Sequence, residues 1–313
     1  MAEKKDKLTE KIIAEIENGA AARWFNPYKA PPIQNLETGW RYKGKNKLFL
    51  TCQTVRDNGY SPFFITYNQA QKWGGLRKGS KAAAFVVLCL SQKKDAVSMA
   101  IDSTEFDDLD DEERAAELSA ASFRRSVYGV QRSAKTVFSA LDLVNPPEQV
   151  VKWSAALKNQ DFSILKNAIP DLFQILKKAG VPVKIGGGQA FYRPDIDSIF
   201  LPSPSAMRGG VGVYCSTALH ELTHSFCKRV GNHSNNGYDV WGRRLEEMVA
   251  EFGALFLCNA LRLPYNPTDR PSSLRYIKDW GGARWRDLIP AAIQEAQKRA
   301  DAILGIVDND NNN

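Results

Sequence analysis

The sequence predicts an α+β protein of two domains. Apolar residues recur at helical spacing in the opening segment and in the last third of the chain, whereas residues 40–90 hold short β-branched and aromatic runs separated by glycines. The 313 residues suffice for roughly two domains, and Asn145-Pro146-Pro147 is the best boundary candidate. We therefore predict domains at 1–146 and 147–307, followed by a disordered tail at 308–313.

Composition excludes several classes of protein. The longest apolar run, Ala82–Leu90, is about half of what a membrane-spanning helix needs, and the first residues lack the apolar stretch of a secretory signal. The 5 cysteines are an odd number without a CxxC pair, which fits neither a disulfide framework nor a cysteine zinc finger. We expect a protein of the reducing cytoplasm with no membrane partner.

The front half is predicted to begin with a helix and continue as a small mixed unit. Residues Lys7–Asn18 form an amphipathic pattern that Gly19 can close. A proline-rich connector follows, and Trp40–Leu90 then predicts short strands with one short helix. Within this unit Ala82–Leu90 is expected to be the most buried strand.

The middle of the chain contains an acidic segment, which is followed by further predicted strands and helices. An acidic segment within about 91–135 is typical of a solvated insertion. A strand is predicted at Phe138–Val144 and a helical stretch at Val150–Gly180. An alternating segment at Ala190–Leu201 and three further helical patterns follow.

The sharpest local signal is the HExxH pentapeptide that begins at His220 and ends at His224. Ser216 is placed as an N-cap, so we predict one helix over 217–230. The two histidines lie on nearly the opposite side from an apolar ridge of Leu219, Leu222 and Phe226. Their imidazoles can therefore converge on one ion, and a catalytic zinc site needs a third protein ligand.

The next predicted helix supplies that ligand. Its apolar face is opposite to an acidic pair, from which we assign Glu247 as third ligand and Glu251 as an acceptor that orients a ligating histidine. Glu246 is the competing choice for the ligand. Glu221 is placed to take a proton from the attacking water. Candidates for holding the oxyanion are Tyr276, which we place first, and then Tyr214, His233 and Arg275.

The front half is also strongly basic and aromatic. Residues 23–81 carry eleven Lys/Arg against two acids, and twelve aromatics are interleaved with them over 24–85. Single-stranded nucleic acid is bound by this combination, because bases stack on rings while cations follow the phosphates. We expect Phe49, Phe63, Phe64 and Phe85 to be core residues. The surface candidates for DNA binding are Tyr42, Lys43, Lys45, Asn46, Trp73, Arg77 and Lys78. A merely solvated basic face is the alternative.

These motifs together resemble one known family. The front half contains Trp24-x-Asn26-Pro27-Tyr28, Asn35-x-x-Thr38-Gly39-x-x-Tyr42-Lys43-Gly44-x-Asn46, Thr66-Tyr67-Asn68-Gln69-Ala70 and Gly75-x-x-Lys78-Gly79. The back half contains Ala190-Phe191-Tyr192, Asp197, Pro202, Tyr214, the HExxH run, Glu246-Glu247-Met248-Val249-Ala250-Glu251, Tyr276 and Trp280. In this order they resemble the ArdC antirestriction proteins, from whose pattern the acidic stretch and the loop 231–242 depart.

The resemblance implies an N-terminal domain that binds single-stranded DNA, and duplex DNA more weakly, followed by a gluzincin-like metallopeptidase domain. It implies zinc or another divalent metal such as manganese, held by His220, His224 and Glu247, with Glu221 as base. It further implies a protein from a plasmid, phage or integrative element that protects incoming DNA inside a bacterial host. A protein substrate is possible but is not named by the resemblance.

Two other functions remain open at this point. One is a cytosolic metallopeptidase whose basic domain selects acidic or DNA-associated proteins. The other is a binding module in replication or conjugative transfer with a purely structural metal. The aromatics beside the cations disfavour the first, and Glu221 disfavours the second, because a structural site needs no base next to its ligand.

Overall fold

The computed structural model describes residues 7–18, 26–56, 59–90, 131–155, 167–206, 209–230, 240–265 and 285–309. Backbone contacts divide the chain into two units, Met1–Ala84 with Val137–Asn313, and Phe85–Thr136. Most of the second unit, including the predicted acidic insertion, lies outside the described residues. The predicted boundary at residue 146 stays a prediction.

The predicted opening helix is confirmed as α1 (Lys7–Glu17). Its four apolar positions are all buried, namely Leu8, Ile12, Ile13 and Ile16. Helix α1 packs on α2 (Gly44–Thr51), because the buried stripe must meet another apolar surface. The glycine proposed to close α1 lies outside the described residues.

The mixed unit predicted for the front half is also confirmed. Strand β1 (Gln34–Asn35) runs parallel to β4 (Phe63–Thr66), and β2 (Val55–Arg56) pairs antiparallel with β3 (Gly59–Tyr60). Helix α3 (Tyr67–Ala70) follows β4 directly. Under these elements lies a core that contains Leu36, Phe63, Ile65, Ala70, Ala140, Leu143 and Val150.

Two long strands flank residues 91–130, which lie outside the described residues. Strand β5 (Ala84–Leu90) confirms the predicted strand, and the burial of its side chains is outside the described features. It is the neighbour of β6 (Gln131–Ser139) in the second unit. In the first unit, the last residues of β6 pair antiparallel with β4, with Ile65 opposite Phe138. The strand predicted at 138–144 therefore ends earlier, because residues 140–142 form a 3-10 turn.

The back half begins with two helices and a small sheet. Helices α4 (Glu148–Ser154) and α5 (Ala168–Lys178) fall on the predicted helical stretch at 150–180, of which 156–166 lie outside the described residues. The three strands β7 (Val183–Ile185), β8 (Phe191–Arg193) and β9 (Ser198–Leu201) form a sheet in the order β7-β9-β8. Strand β9 is parallel to β7 and antiparallel to β8.

Three long helices form the centre of the back half: α6 (Gly210–Ser225), α7 (Val240–Ala260) and α8 (Trp285–Asn309). Helix α7 packs against both α6 and α8. The predicted start at residue 217 is wrong, because the helix begins after Gly209, whose φ of 96° is left-handed. Ser216 is thus an interior residue that donates to the Val213 carbonyl, not an N-cap.

The C-terminal helix is longer than the sequence suggested. It includes Asp308 and Asn309, so the predicted start of a disordered tail at residue 308 is wrong. Buried Ile303 and Val307 continue its apolar face to the last turn, which explains the extension. Among the described residues, no helix is both long and apolar enough to cross a membrane.

Polar contacts join the front segment to the long helices. Asn26 and Tyr265 form an antiparallel bridge, with N–O distances of 2.9 Å in both directions. The side-chain amide of Asn26 also donates to the carbonyls of Leu263 and Cys258, at 2.7 and 3.3 Å. The buried ammonium of Lys47 donates to the Phe256 carbonyl on α7 at 2.9 Å. These contacts cross the predicted domain boundary.

Candidate metal centre

Helix α6 carries both histidines of the HExxH run on one side. Their Nε2 atoms are 3.1 Å apart, and the rings stand nearly edge to face at 79°. The predicted apolar ridge on the other side is buried, with Leu219, Leu222 and Phe226 at 0 to 1% exposure. Burial of the ridge fixes the rotation of α6 and so holds both imidazoles toward α7.

Glu247 of α7 completes a group of three donors. Its Oε2 lies 3.4 Å from His220 Nε2 and 3.9 Å from His224 Nε2. Ligand atoms about 2.1 Å from a tetrahedral zinc ion lie about 3.4 Å from one another. The three atoms therefore have the spacing of a site that can hold a divalent metal, and the donor types suit one.

Glu246 is oriented differently from its neighbour. Both of its oxygens are bound by the guanidinium of Arg299, at 2.6 and 2.7 Å, and Oε1 is also 3.0 Å from His224 Nδ1. Burial by itself would raise the pKa of this carboxyl, but the hydrogen bonds from Arg299 and His224 lower it to about 2. An ionised Glu246 can therefore orient His224 rather than bind the metal.

Glu251 has the matching position behind the other histidine. Its Oε2 lies 3.3 Å from His220 Nδ1, and its Oε1 accepts from the Tyr265 hydroxyl at 3.4 Å. Burial would lower the pKa of His220, yet the adjacent carboxylates of Glu247 and Glu251 raise it to about 9. The surroundings thus favour positive charge at this point, as a cation site requires.

Glu221 follows the first histidine and is 9% exposed. Among the described residues, no hydrogen bond to a protein group occupies its carboxylate, which leaves it able to accept one from water. Tyr276, His233 and Arg275 lie outside the described residues. Tyr214 is buried and its hydroxyl donates to the Pro202 carbonyl at 3.0 Å, so this predicted oxyanion donor already has a different partner.

The front-half candidates are divided by burial. Tyr42 is only 4% exposed and its ring edge faces Phe64 at 6.4 Å, so its predicted surface position is wrong. Tyr42 lies just before α2, most of whose side chains are buried, and it belongs to the same core. Trp73 is half-buried against the core below α3. The core positions expected for Phe49, Phe63 and Phe64 are confirmed, whereas the side chain of Phe85 is not described.

The predicted polar candidates are all at least partly exposed. Lys43, Arg77 and Lys78 are exposed, and Lys45 and Asn46 are half-exposed. The ammonium of Lys43 pairs with Asp301 on α8 at 3.1 Å. These side chains remain candidates for DNA binding.

Sequence reasoning missed several residues that the structure brings to the site or its support. Arg299 is fully buried and reaches His224 through Glu246. A cation within the apolar stripe of α8, between Ala296 and Ile303, was the available signal. Tyr265 carried no such signal, because its role depends on a contact with Glu251 fourteen residues away.

Two family models match the chain. One, described as the N-terminal domain of anti-restriction factor ArdC, matches residues 2–128. The other, described as zincin-like metallopeptidase, matches residues 170–287. The first match thus covers most of the basic front half, and the second covers the segment that contains His220, His224 and Glu247.

Curated relatives match almost the whole chain at moderate identity. One protein named DNA primase TraC from Escherichia coli is 28% identical over 95% of this chain, and a second of the same name is 27% identical over 96%. The chain spans only 19% and 27% of their lengths. The protein y4eC of Sinorhizobium fredii (strain NBRC 101917 / NGR234) is 27% identical, with 95% of this chain and 90% of that protein covered.

Two solved structures share the fold. Both are crystal structures of the antirestriction protein ArdC from the R388 plasmid, each 23% identical and aligned over 96% of this chain. The Mn(II)-bound form has a TM-score of 0.60 over 96% of that chain. The metal-free form has a TM-score of 0.53 over 97% of that chain. The mixed helix and strand architecture predicted from the sequence is confirmed by this likeness.

Proposed function

We propose that this chain is an antirestriction-type protein that binds single-stranded DNA and hydrolyses peptide bonds, since its front half matches the ArdC N-terminal family model and its back half matches the zincin-like metallopeptidase model. It would be carried by a plasmid, phage or other mobile element and act in the host cytoplasm. The observation that carries the peptidase proposal is the convergence of His220, His224 and Glu247 within 3.9 Å.

The proposed metal ligands are His220, His224 and Glu247. Zinc is the first choice for this donor set, and manganese is the alternative because a structure with the same fold binds Mn(II). A divalent cation there would polarise a peptide carbonyl and make water more acidic. Glu246 and Glu251 would fix the ring orientations of the two histidines through Nδ1.

Glu221 is the proposed general base. It is adjacent to a ligand on the same helix, and its carboxylate has no partner among the described protein groups that would have to be displaced. It would accept a proton from the attacking water and return it to the leaving amine. Tyr276 remains a candidate for holding the oxyanion, on the resemblance alone.

The DNA-binding proposal rests on the front half. Its exposed cations can follow a phosphate backbone, and the matching family model carries the name of an antirestriction factor. We propose single strands as the preferred partner and duplex DNA as a weaker one. A protein substrate for the metal site is proposed only as a class, because nothing in the site selects a sequence.

Metal content tests the ligand set most directly. The intact protein is expected to hold about one equivalent of zinc or manganese after dialysis, and His224→Ala is expected to lose most of it because two ligands cannot close the site. Lys228→Ala, an exposed position one turn further along, is the control and should retain the metal. Full occupancy of the His224→Ala protein would refute the assignment.

A further inference from the structure

A partly buried polar pair connects two motifs of the front half that are far apart in sequence. The side chains of Asn35 and Gln69 exchange hydrogen bonds, with Nδ2 to Oε1 at 3.0 Å and Nε2 to Oδ1 at 3.3 Å. Asn35 is 7% exposed and also accepts from the backbone of Glu37 and Thr38, at 3.1 and 3.0 Å. The pair therefore fixes the turn after β1 against the start of α3.

Each of the two segments that this pair connects carries one exposed aromatic residue. The backbone N–H of Asn35 donates to the Trp40 carbonyl at 2.9 Å, which holds Trp40 at the end of the turn. Tyr67 begins α3, where Thr66 and Gln69 form a capping box. The hydrogen-bonded side chains of Asn35 and Gln69 thus connect the turn that leads to Trp40 with the helix that begins at Tyr67.

These two rings are the most exposed large apolar side chains in the described part of the chain. Trp40 is 63% exposed and Tyr67 is 60% exposed. By contrast, Tyr42 and Trp73, which the sequence favoured for stacking, pack against the core. A rigid backbone that presents two open rings is expected where aromatic faces bind a ligand.

The charge beside the rings is suited to a polyanion. Arg41 follows Trp40 directly and is exposed, with no acidic partner among the described residues. Lys72 reaches the same turn through an ion pair with Glu37 and remains 65% exposed. Cations at phosphate distance from stacked bases are the usual combination in single-strand binding.

We propose that Trp40 and Tyr67, which we call the stacking pair, bind unpaired DNA bases, with Arg41 and Lys72 along the phosphates. The proposal rests on the proposed single-strand binding and locates it on the turn after β1 and the start of α3. Duplex DNA offers its phosphates to the cations but no base faces to the stacking pair.

The test uses the intact chain and a fluorescent oligothymidine of about 16 nucleotides, the upper end of ordinary site sizes. Trp40→Ala and Tyr67→Ala are each expected to lower its affinity by about fivefold or more, as a lost stacking contact does. Neither should change the dependence of affinity on salt, because no phosphate contact is lost. Arg41→Ala is expected to reduce that dependence.

Two kinds of control separate ring loss from disturbance of the fold. Trp40→Phe and Tyr67→Phe keep an aromatic face and should retain most of the affinity. Phe191→Ala removes a ring that is 41% exposed on β8 and should bind as the unaltered protein does. Melting temperatures should remain within a few degrees for the variants of Trp40, Tyr67 and Arg41, because these side chains are exposed.

The outcomes distinguish this inference from the function on which it rests. If the unaltered protein binds the oligothymidine and the alanine variants bind equally well, the stacking pair is refuted while single-strand binding stands. If the unaltered protein does not bind it, both the proposed DNA binding and the stacking pair are refuted. Equal losses in the alanine and phenylalanine variants would also refute stacking.

Discussion

Gly253 on α7 faces Thr223 on α6 with no space for a side chain between them. An added Cβ on Gly253 would lie 2.5 Å from Thr223 Cγ2 and 2.7 Å from its Oγ1. The Thr223 hydroxyl is held by a hydrogen bond to the Leu219 carbonyl at 2.8 Å, which limits its freedom to turn away. This contact sets the distance between the helices that carry His220, His224 and Glu247.

Gly253→Ala should therefore lower both stability and metal affinity. Overpacking costs about 1–3 kcal/mol, which exceeds the gain of up to about 1 kcal/mol from replacing a helical glycine. Urea unfolding and metal titration check the two effects. Gly305→Ala on α8, where a Cβ meets nothing within 4 Å, should instead be neutral or stabilising. Adding Thr223→Ser to Gly253→Ala should recover part of the loss, and no recovery would count against this explanation.

Glu221→Gln tests the proposed chemistry. The amide preserves shape but cannot accept a proton, so metal content should be unchanged while peptidase activity falls by about 100-fold or more. Metal analysis and cleavage of a casein-type substrate check the two quantities. Undiminished activity would show that Glu221 is not the base. Metal binding without activity in the unaltered protein would favour a structural metal instead.

Arg299→Met should destabilise the protein through Glu246. The guanidinium is fully buried, and its loss would leave the carboxylate, 21% exposed, facing α8 without a counter-ion. We expect the free energy of unfolding to fall by about 3 kcal/mol or more. Combining it with Glu246→Gln removes the stranded charge, so the double variant should lose clearly less than the sum of the single losses. Urea unfolding without metal measures all three, and strict additivity would contradict the coupling.

Because Lys47 is buried, the free energy of unfolding should rise with pH. Burial lowers the pKa of its ammonium to about 7, whereas an unfolded lysine has a pKa near 10.4. Between these values the unfolded chain binds more protons, so the free energy of unfolding should rise with pH by up to about 1.4 kcal/mol per unit from this group. Below pH 7 both states are protonated and the destabilisation is fully present.

Urea unfolding of the metal-free protein, repeated at several pH values from about 6 to 9, measures how the free energy of unfolding depends on pH. Lys47→Met should flatten the rise, because the methionine has no proton to release. Lys45→Met, at a half-exposed position of the same helix, should keep it. Identical slopes for the unaltered protein and Lys47→Met would show that Lys47 is not the titrating group.

Local periodicity made part of this structure predictable. Helix α1 and the facing arrangement of His220 with His224 follow from residues four positions apart, which any helix brings to one side. The same argument placed Glu247 and Glu251 on one face of the next helix. These predictions required no knowledge of how distant segments pack.

The errors have the opposite origin. Tyr42 lies beside cations and a glycine in the sequence, but its ring packs on Phe64 of β4, which lies 22 residues further along the chain. The role of Arg299 depends on α8 meeting α7, and no pattern within α8 indicates that partner. The exposure of Trp40 and Tyr67 likewise depends on how the turn after β1 packs beside α3, which no local pattern indicates.

The bridge between Asn26 and Tyr265 has a consequence for how such proteins diversify. A segment of the basic front half completes its backbone hydrogen bonds on the chain that follows α7, and Lys47 caps a carbonyl inside α7. Recombination that exchanged one half alone would have to preserve both junctions. We therefore expect the two halves to be inherited together. A chimaera of two relatives joined at residue 146 should fold only when its residues 256–265 are also replaced by those of the parent that supplies residues 26–47.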